Sequence, residues 1–228
     1  MSVFYFLLTL LYSVFVSATD LRLDLIATVT TPSSILTHKQ DYTPLFVGAR
    51  ARYGTASGVV WFHDKYLASF NLLGQRADVY EFNETTKQFS HLQQFSQQDT
   101  GLIGPVLSAT ISPDETLLAV ALCGENPRIV FYKIDQESHR IVPEQLASFP
   151  YPKIVHNLRF SADGRFLGAV SFDKVETINI YAVERLDNIF SCTRIQVIAN
   201  PHLSTTANPP KVINFTQDGK FAIAAYVS

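Results

Sequence analysis

Cysteine, methionine and tryptophan are scarce in this 228-residue chain, which contains two Cys, one Met and one Trp. The two cysteines, Cys123 and Cys192, are too few to form a zinc site by themselves and have no CxxC spacing. We expect two buried thiols, because free cysteine packs as a small hydrophobic residue. A disulfide is the alternative, and it requires the two residues to be neighbours in the fold.

Dense runs of Lys and Arg are also absent, and the formal net charge is −2. Proteins that bind phosphate backbones present clustered basic residues, so we expect no nucleic-acid partner. Hydrophobic residues make up 47% of the chain and charged residues 17%, which is the balance of a folded domain. The 17 Phe and 10 Tyr, together with many Val, Ile and Thr, favour β-sheet.

Complete catalytic and cofactor motifs are missing as well. The sequence has no P-loop, GxGxxG or GxSxG element. Its six histidines show no HxxxH or HExxH spacing, so a metal site would have to be assembled by folding. We therefore predict no cofactor and no metal.

The N-terminal residues resemble a secretory signal. Residues 1–18 are apolar and end in small residues, although no Lys or Arg precedes the apolar run. We predict a signal peptide over 1–18 and a secreted or extracytoplasmic protein. An uncleaved membrane anchor is one alternative, and a buried strand or misassigned start in a cytoplasmic protein is another. Residues 19–56 are predicted to form a strand, at 21–31, and a loop.

One pattern recurs through the rest of the chain. Three segments align without gaps, at 111–117, 160–166 and 215–221, and a looser copy spans 62–67. The copies lie roughly 50 residues apart, which is typical of a propeller blade. Each copy has an Asp where a turn is predicted, because short polar side chains hydrogen-bond to their own backbone in turns. These residues are Asp64, Asp114, Asp163 and Asp218.

Each repeat contains enough sequence for four strands, the third of which has alternating aromatic residues. Residues 57–228 are therefore predicted to form an all-β, incomplete β-propeller with about four blades of a complete seven. A β-sandwich or a run of separate hairpins is the main alternative, and a solenoid is a further one. The last copy, at 215–221, ends inside its second strand. We therefore expect the remaining blades to come from missing C-terminal sequence, with closure against another chain as the alternative.

The first residues of the innermost strand of each blade are predicted to lie at the mouth of the central channel. Counting back from the residue that begins each copy gives Gly58, Leu107, His156 and Lys211. These positions vary in size and charge, as a ligand site on a repeated scaffold would, although tolerance of exposed positions gives the same pattern.

His156 is the candidate catalytic residue, because an imidazole can accept or deliver a proton near pH 7. A hydrogen-bonded strand histidine is the alternative. Lys211 is a candidate ligand-binding residue in the next repeat. Asn157 and Arg159, on the other face of the strand of His156, are predicted to support packing between blades or to bind an anionic ligand.

Four segments carry a resemblance to a known family, namely 112–114, 131–135, 156–164 and 180–181. Through them, residues 57–228 resemble the seven-bladed lactonase family, which includes 6-phosphogluconolactonase-like and muconate-cycloisomerase-like propellers. The resemblance implies that His156 belongs to an active site that hydrolyses or forms a lactone of a sugar acid. The chain departs from the family pattern at 171–174, where the family has an acidic, glycine-containing segment. Generic YVTN and WD40-like propellers share the turn motif.

Two main functions are compatible with this sequence. The first is a binding or scaffold propeller that presents loops to a protein or carbohydrate partner, with membrane contact only through an uncleaved N-terminal segment. The alternative is a lactonase-like hydrolase that uses His156. A third possibility is an accessory propeller attached to a catalytic domain encoded downstream.

Overall fold

The computed structural model describes residues 56–71, 76–96, 106–123, 126–151, 154–171, 176–186, 189–199 and 210–226. The regular elements within these ranges are β-strands. Among them there is no helix with the length and apolar character that a membrane span needs. The predicted signal at 1–18 and the predicted strand at 21–31 lie outside the described residues.

The described strands form three four-stranded antiparallel sheets and one two-stranded sheet. Blade 1 contains β1 (Ala56–Phe62), β2 (Tyr66–Asn71), β3 (Arg76–Asn83) and β4 (Gln88–Ser96). Blade 2 contains β5 (Val106–Ile111), β6 (Leu117–Leu122), β7 (Arg128–Ile134) and β8 (Ile141–Pro150). Blade 3 contains β9 (Val155–Phe160), β10 (Phe166–Ser171), β11 (Glu176–Leu186) and β12 (Ile189–Ala199). Blade 4 contains β13 (Pro210–Phe215) and β14 (Ala222–Tyr226).

The predicted propeller architecture is confirmed. Each complete repeat is a separate sheet whose strands pair in chain order. The inner strands β1, β5, β9 and β13 are neighbours in that order, so the sheets follow one another around the inner strands. The outer strand β8 begins at Ile141 and includes Pro143 and Glu144, which interrupt its apolar pattern without ending the strand.

The core consists of apolar layers between successive blades. Phe62 and Val79 of blade 1 pack in one cluster with Leu118 and Val130 of blade 2. On the opposite face of blade 2, Phe131 packs in a second cluster. Since alternate residues of a strand point to opposite faces, β7 contributes to both layers.

Blade 3 is covered on both faces in the same way. Leu158 and Tyr181 belong to the cluster shared with blade 2. Val170 and Ile178 face blade 4, where they meet Ile213. The near-continuous apolar sequences of β6 and β10 follow from this double coverage, because both faces of these two strands are removed from water.

The repeated turn has the predicted chemistry in three blades. In blade 3, Ser161 Oγ donates to Asp163 Oδ1 at 2.7 Å and accepts the N–H of Phe166 at 2.9 Å. Asp163 Oδ1 also accepts the N–H of Arg165 at 3.1 Å. Gly164 has a φ of 71°, which glycine adopts without a Cβ clash. The same hydroxyl–carboxylate pairs are Ser112 with Asp114 and Thr216 with Asp218.

The turn of blade 1 differs from the other three. It is shorter, and Phe62 pairs directly with Tyr66. Within the described residues, Asp64 makes no side-chain hydrogen bond of the kind seen in the other copies. His63 and Asp64 both have positive φ values, 45° and 56°. Asp64 therefore lies in the turn as predicted, but it lacks the hydroxyl partner of the other copies because residue 62 is a phenylalanine.

Candidate functional site

The inner strands share a β-bulge close to their first residues. In β9, Val155 pairs with Ser171 and Asn157 pairs with Val170, which makes His156 the extra residue. Bulges re-aim side chains and are frequent beside active sites. The corresponding extra residues of β5 and β13 are Leu107 and Lys211. Three of the predicted mouth positions are thus bulge positions.

The bulge of blade 1 lies one residue away from the predicted position. The extra residue of β1 is Ser57, whereas counting in the sequence gave Gly58. The reason is the shorter turn of this blade. Trp61, and not Phe62, is therefore the counterpart of Phe160. Trp61 pairs with Leu67, which faces Tyr80 of the third strand. In the same way Phe160 pairs with Leu167, which faces Tyr181.

His156 is half-buried at the end of the sheet opposite the Ser–Asp turns. Val155 and Leu158, on either side of the bulge, both pack into the cluster with blade 2. Strict alternation would place these two residues on opposite faces, so the bulge allows both to pack on one side. The side chain of His156 therefore does not follow the alternation between the two faces of β9.

Asn157 has a structural partner in the next blade. Its Oδ1 accepts the N–H of Ile213 at 3.1 Å. At the equivalent position of blade 2, Ser108 Oγ accepts the N–H of Leu158 at 3.0 Å. Gly58 occupies this position in blade 1 and has no side chain to make such a bond. Asn157 therefore supports packing between blades, and its contact with a ligand stays a prediction.

The two predicted cationic ligand residues lie on neighbouring inner strands. Arg159 is exposed and lies opposite Gly168 of β10. Lys211 is the bulge residue of β13, which lies beside β9, and its side chain is outside the described part of the structure. The fold thus brings the strand positions of all four predicted site residues together, while their joint contact with a ligand stays a prediction.

A second group of polar side chains lies at the opposite end, where the turns of blades 1 and 2 meet. His63 Nδ1 and Glu115 Oε2 are 2.8 Å apart. The ring of His139 lies 4.5 Å from that of His63 and 5.0 Å from that of Tyr66, between centroids. Sequence reasoning missed this group. The signal for it is Glu115, which occupies the position that Gly164 has in the next repeat.

An open cleft of about 500 Å³ lies between the turns of blades 2 and 3. Arg185 Nη1 is 2.6 Å from Asp114 Oδ2, and Arg165 Nε is 2.6 Å from Asp163 Oδ2. The charged side chains that line this cleft therefore neutralise one another, which makes it a weak site for a charged ligand.

The two cysteines are both buried and free, as predicted. Burial raises the pKa of each thiol to about 12, and for Cys123 it outweighs the opposing effect of the backbone N–H of Val155. A thiol that stays protonated at neutral pH is a poor nucleophile and a poor metal ligand. Within the described ranges, no group of three or more His, Cys, Asp or Glu side chains could hold a metal ion.

The arrangement of strands is that of a β-propeller, and it is similar to several solved structures. A candidate 6-phosphogluconolactonase from Bacteroides uniformis is 18% identical with a TM-score of 0.58, and the match covers 75% of this chain and 47% of that one. The periplasmic gluconolactonase of Pseudomonas aeruginosa is 19% identical with a TM-score of 0.56, over 75% and 50% of the two chains. The chain thus spans about half the length of these proteins.

The likeness extends to a protein of different chemistry. The hydrazine synthase structure from Kuenenia stuttgartiensis is 12% identical with a TM-score of 0.55, over 78% of this chain and 43% of that one. No family model and no curated protein matches the sequence. Similarity at these identities defines the fold, and function has to be argued from the site.

Proposed function

We propose that this propeller hydrolyses a lactone of a sugar acid, with His156 as the general base. The observation that carries the proposal is the position of His156, an imidazole on the bulge of an inner strand, in a fold shared with gluconolactonases. Of the bulge residues Ser57, Leu107, His156 and Lys211, only His156 is of a residue type that ordinarily exchanges protons near neutral pH.

In this reaction His156 first accepts one proton and later returns it. The imidazole takes a proton from water as the water oxygen attacks the carbonyl carbon of the lactone. The ring C–O bond then breaks, and the imidazolium returns the proton to the departing alkoxide. The product is an open-chain acid, which releases the second proton of the water to solvent and so carries a negatively charged carboxylate. Lys211 and Arg159, on the neighbouring inner strands, supply positive charge that favours this product and the oxyanion before it.

The test uses the natural full-length protein and two substrates, δ-gluconolactone and 6-phosphogluconolactone. Acid release is followed in a pH-stat against the spontaneous rate in buffer. We expect catalysed opening of at least one lactone, and a loss of about 10²–10⁴-fold in kcat/KM for His156→Ala.

Leu107→Ala is the matched control, since it removes a side chain from the same bulge of the neighbouring blade. It is expected to keep most of the activity. The proposal fails if neither lactone opens faster than in buffer, or if His156→Ala is as active as the parent protein.

A binding function is the second candidate. It is favoured by exposed large apolar side chains on the outer strands of blades 2 and 3, which a partner would cover. These residues are Leu146, Ile195 and Val197. A protein partner fits this surface better than a carbohydrate, because apolar outer-strand side chains offer sugars few hydrogen bonds.

The proposal includes export from the cytoplasm. The apolar residues 1–18 support it, and so does the similarity in fold to a gluconolactonase that is periplasmic. A lactonase outside the cytoplasm would act on sugar-acid lactones before their uptake.

A further inference from the structure

Two histidines from neighbouring blades meet at the turn end of the sheets, away from His156. His63 lies in the first turn of blade 1 and His139 in the last turn of blade 2, with ring planes inclined by 57°. Within the described residues, Nε2 of His63 and Nδ1 of His139 are buried and have no hydrogen-bond partner. Buried polar atoms are nearly always satisfied, so two orphan nitrogens in adjacent rings point to an occupant.

Glu115 prepares His63 to act as a ligand. Its Oε1 accepts the backbone N–H of His63 at 3.0 Å, and its Oε2 accepts a hydrogen bond from His63 Nδ1 at 2.8 Å. With the proton held on Nδ1, the lone pair of the neutral ring is on Nε2, the nitrogen without a partner. Carboxylates orient the histidine ligands of metal ions in this way.

Three residues of this site have positive φ angles, which residues other than glycine disfavour. Glu115 has a φ of 57° at a position where Gly164 and Gly219 provide 71° and 68° in the next repeats. His63 and His139 also have positive φ, at 45° and 55°. Such residues cost free energy and cluster at functional sites and ligand clamps. Glycine would relieve the strain at Glu115, but it would remove the carboxylate from His63.

We propose that His63 Nε2 and His139 Nδ1 bind one late transition-metal ion, with water on its remaining positions. Imidazole nitrogens suit Zn²⁺, Ni²⁺ and Cu²⁺. Two imidazoles that share a metal at about 2.0–2.1 Å per nitrogen have centroids roughly 4.5–5.5 Å apart, so the observed 4.5 Å fits this arrangement. The ion would link blade 1 to blade 2 and would lie apart from the proposed lactone site.

The experiment titrates Zn²⁺ alone into chelator-treated, natural full-length protein by isothermal calorimetry. We expect one saturable site, and binding about tenfold or more weaker for His63→Ala and for His139→Ala. Glu115→Gln keeps both ligands and is expected to weaken binding by about tenfold, as loss of an orienting carboxylate does. Cu²⁺ bound to the protein should show two nitrogen ligands by electron paramagnetic resonance, and only one in His139→Gln.

His91→Ala is the matched control. His91 Nε2 lies 2.8 Å from Asp78 Oδ1 and its ring lies 5.3 Å from that of Tyr80, so it repeats the carboxylate and tyrosine contacts without a second imidazole. It should bind Zn²⁺ as the parent does. The proposal is overturned if no saturable site exists, which would assign the two nitrogens to water, or if His91→Ala loses as much affinity as His139→Ala. Circular dichroism of each variant identifies misfolding, and the Cu²⁺ spectrum of His139→Gln decides in that case.

Discussion

At the scale of single residues, Ser161 determines the shape of its turn. This serine is fully buried, and its hydroxyl is used twice, as donor to Asp163 and as acceptor for the N–H of Phe166. The hydrogen bond from Ser161 is the largest influence on the pKa of Asp163. Burial opposes it, and the hydrogen bonds and charge of Arg165 add to it, so that the pKa is held at about 2.

Ser161→Ala is expected to reduce the free energy of unfolding at pH 7 by about 1–3 kcal/mol, because the N–H of Phe166 loses its acceptor. It should also change the response to acid. The pKa of Asp163 is lower in the folded protein than its value of about 3.9 in an unfolded chain, so its stabilisation is complete above about pH 4 and is lost as the pH falls towards 2. Without the Ser161 donor, the pKa of Asp163 lies closer to its value in the unfolded chain, so acidification removes less of the free energy of unfolding.

Urea unfolding at pH 7, 4 and 2.5 measures both effects. Thr216→Ala is the control, because Thr216 makes the same bond to Asp218 in a turn that is more exposed, where water can replace the hydroxyl. Thr216→Ala should cost less than Ser161→Ala at pH 7. An acid response of Ser161→Ala identical to that of the parent would contradict the role given to the serine.

The chemistry of these turns could be predicted from sequence because it is local, with the serine and the aspartate two residues apart. The role of Glu115 could not. Its partner His63 is 52 residues away, in a turn whose shortening hid its equivalence to the others. From the sequence alone, a glutamate at a position where the other repeats have glycine is interpreted as a substitution that an exposed turn tolerates.

At the scale of elements, the bulge divides the start of each inner strand into two roles. His156 is the extra residue, while Asn157, next to it, holds the neighbouring inner strand through Ile213. The sequence predicted which strands form and that these residues lie at their start. It could not predict the bulge, because strand alternation carries no signal for an unpaired residue.

Asn157→Ala is expected to lower the free energy of unfolding by about 1–3 kcal/mol, because the N–H of Ile213 loses its acceptor between two blades. Ser108→Ala, at the equivalent position of blade 2, should have a similar cost. His156→Ala should cost less, because His156 is half-buried and is the extra residue of the bulge, outside the ladder pairing of β9.

Chemical denaturation of the three variants, with lactone hydrolysis measured on the same samples, separates stability from activity. Asn157→Ala should be less stable yet active, and His156→Ala stable yet inactive. The division of roles is wrong if Asn157→Ala loses activity at full stability, which would make Asn157 a ligand residue.

At the scale of the whole molecule, blade 4 has one covered and one uncovered face. Ile213 packs against blade 3 and is buried, whereas Val212, Phe221 and Ile223 are 50%, 66% and 62% exposed. Contiguous apolar side chains on a sheet face indicate a surface that another element covers. We propose that a further blade of the same ring packs there, which agrees with the half-length match to the gluconolactonase structures.

The most direct measurement is a crystal structure of the natural full-length protein with an aldonic acid, the product of lactone opening, bound. The predicted result is a closed ring of equivalent four-stranded blades. One blade should cover Ile223, and the product carboxylate should lie within hydrogen-bond distance of His156 or Lys211. A product bound among the Ser–Asp turns, or an outer face of blade 4 left open to solvent, would contradict it.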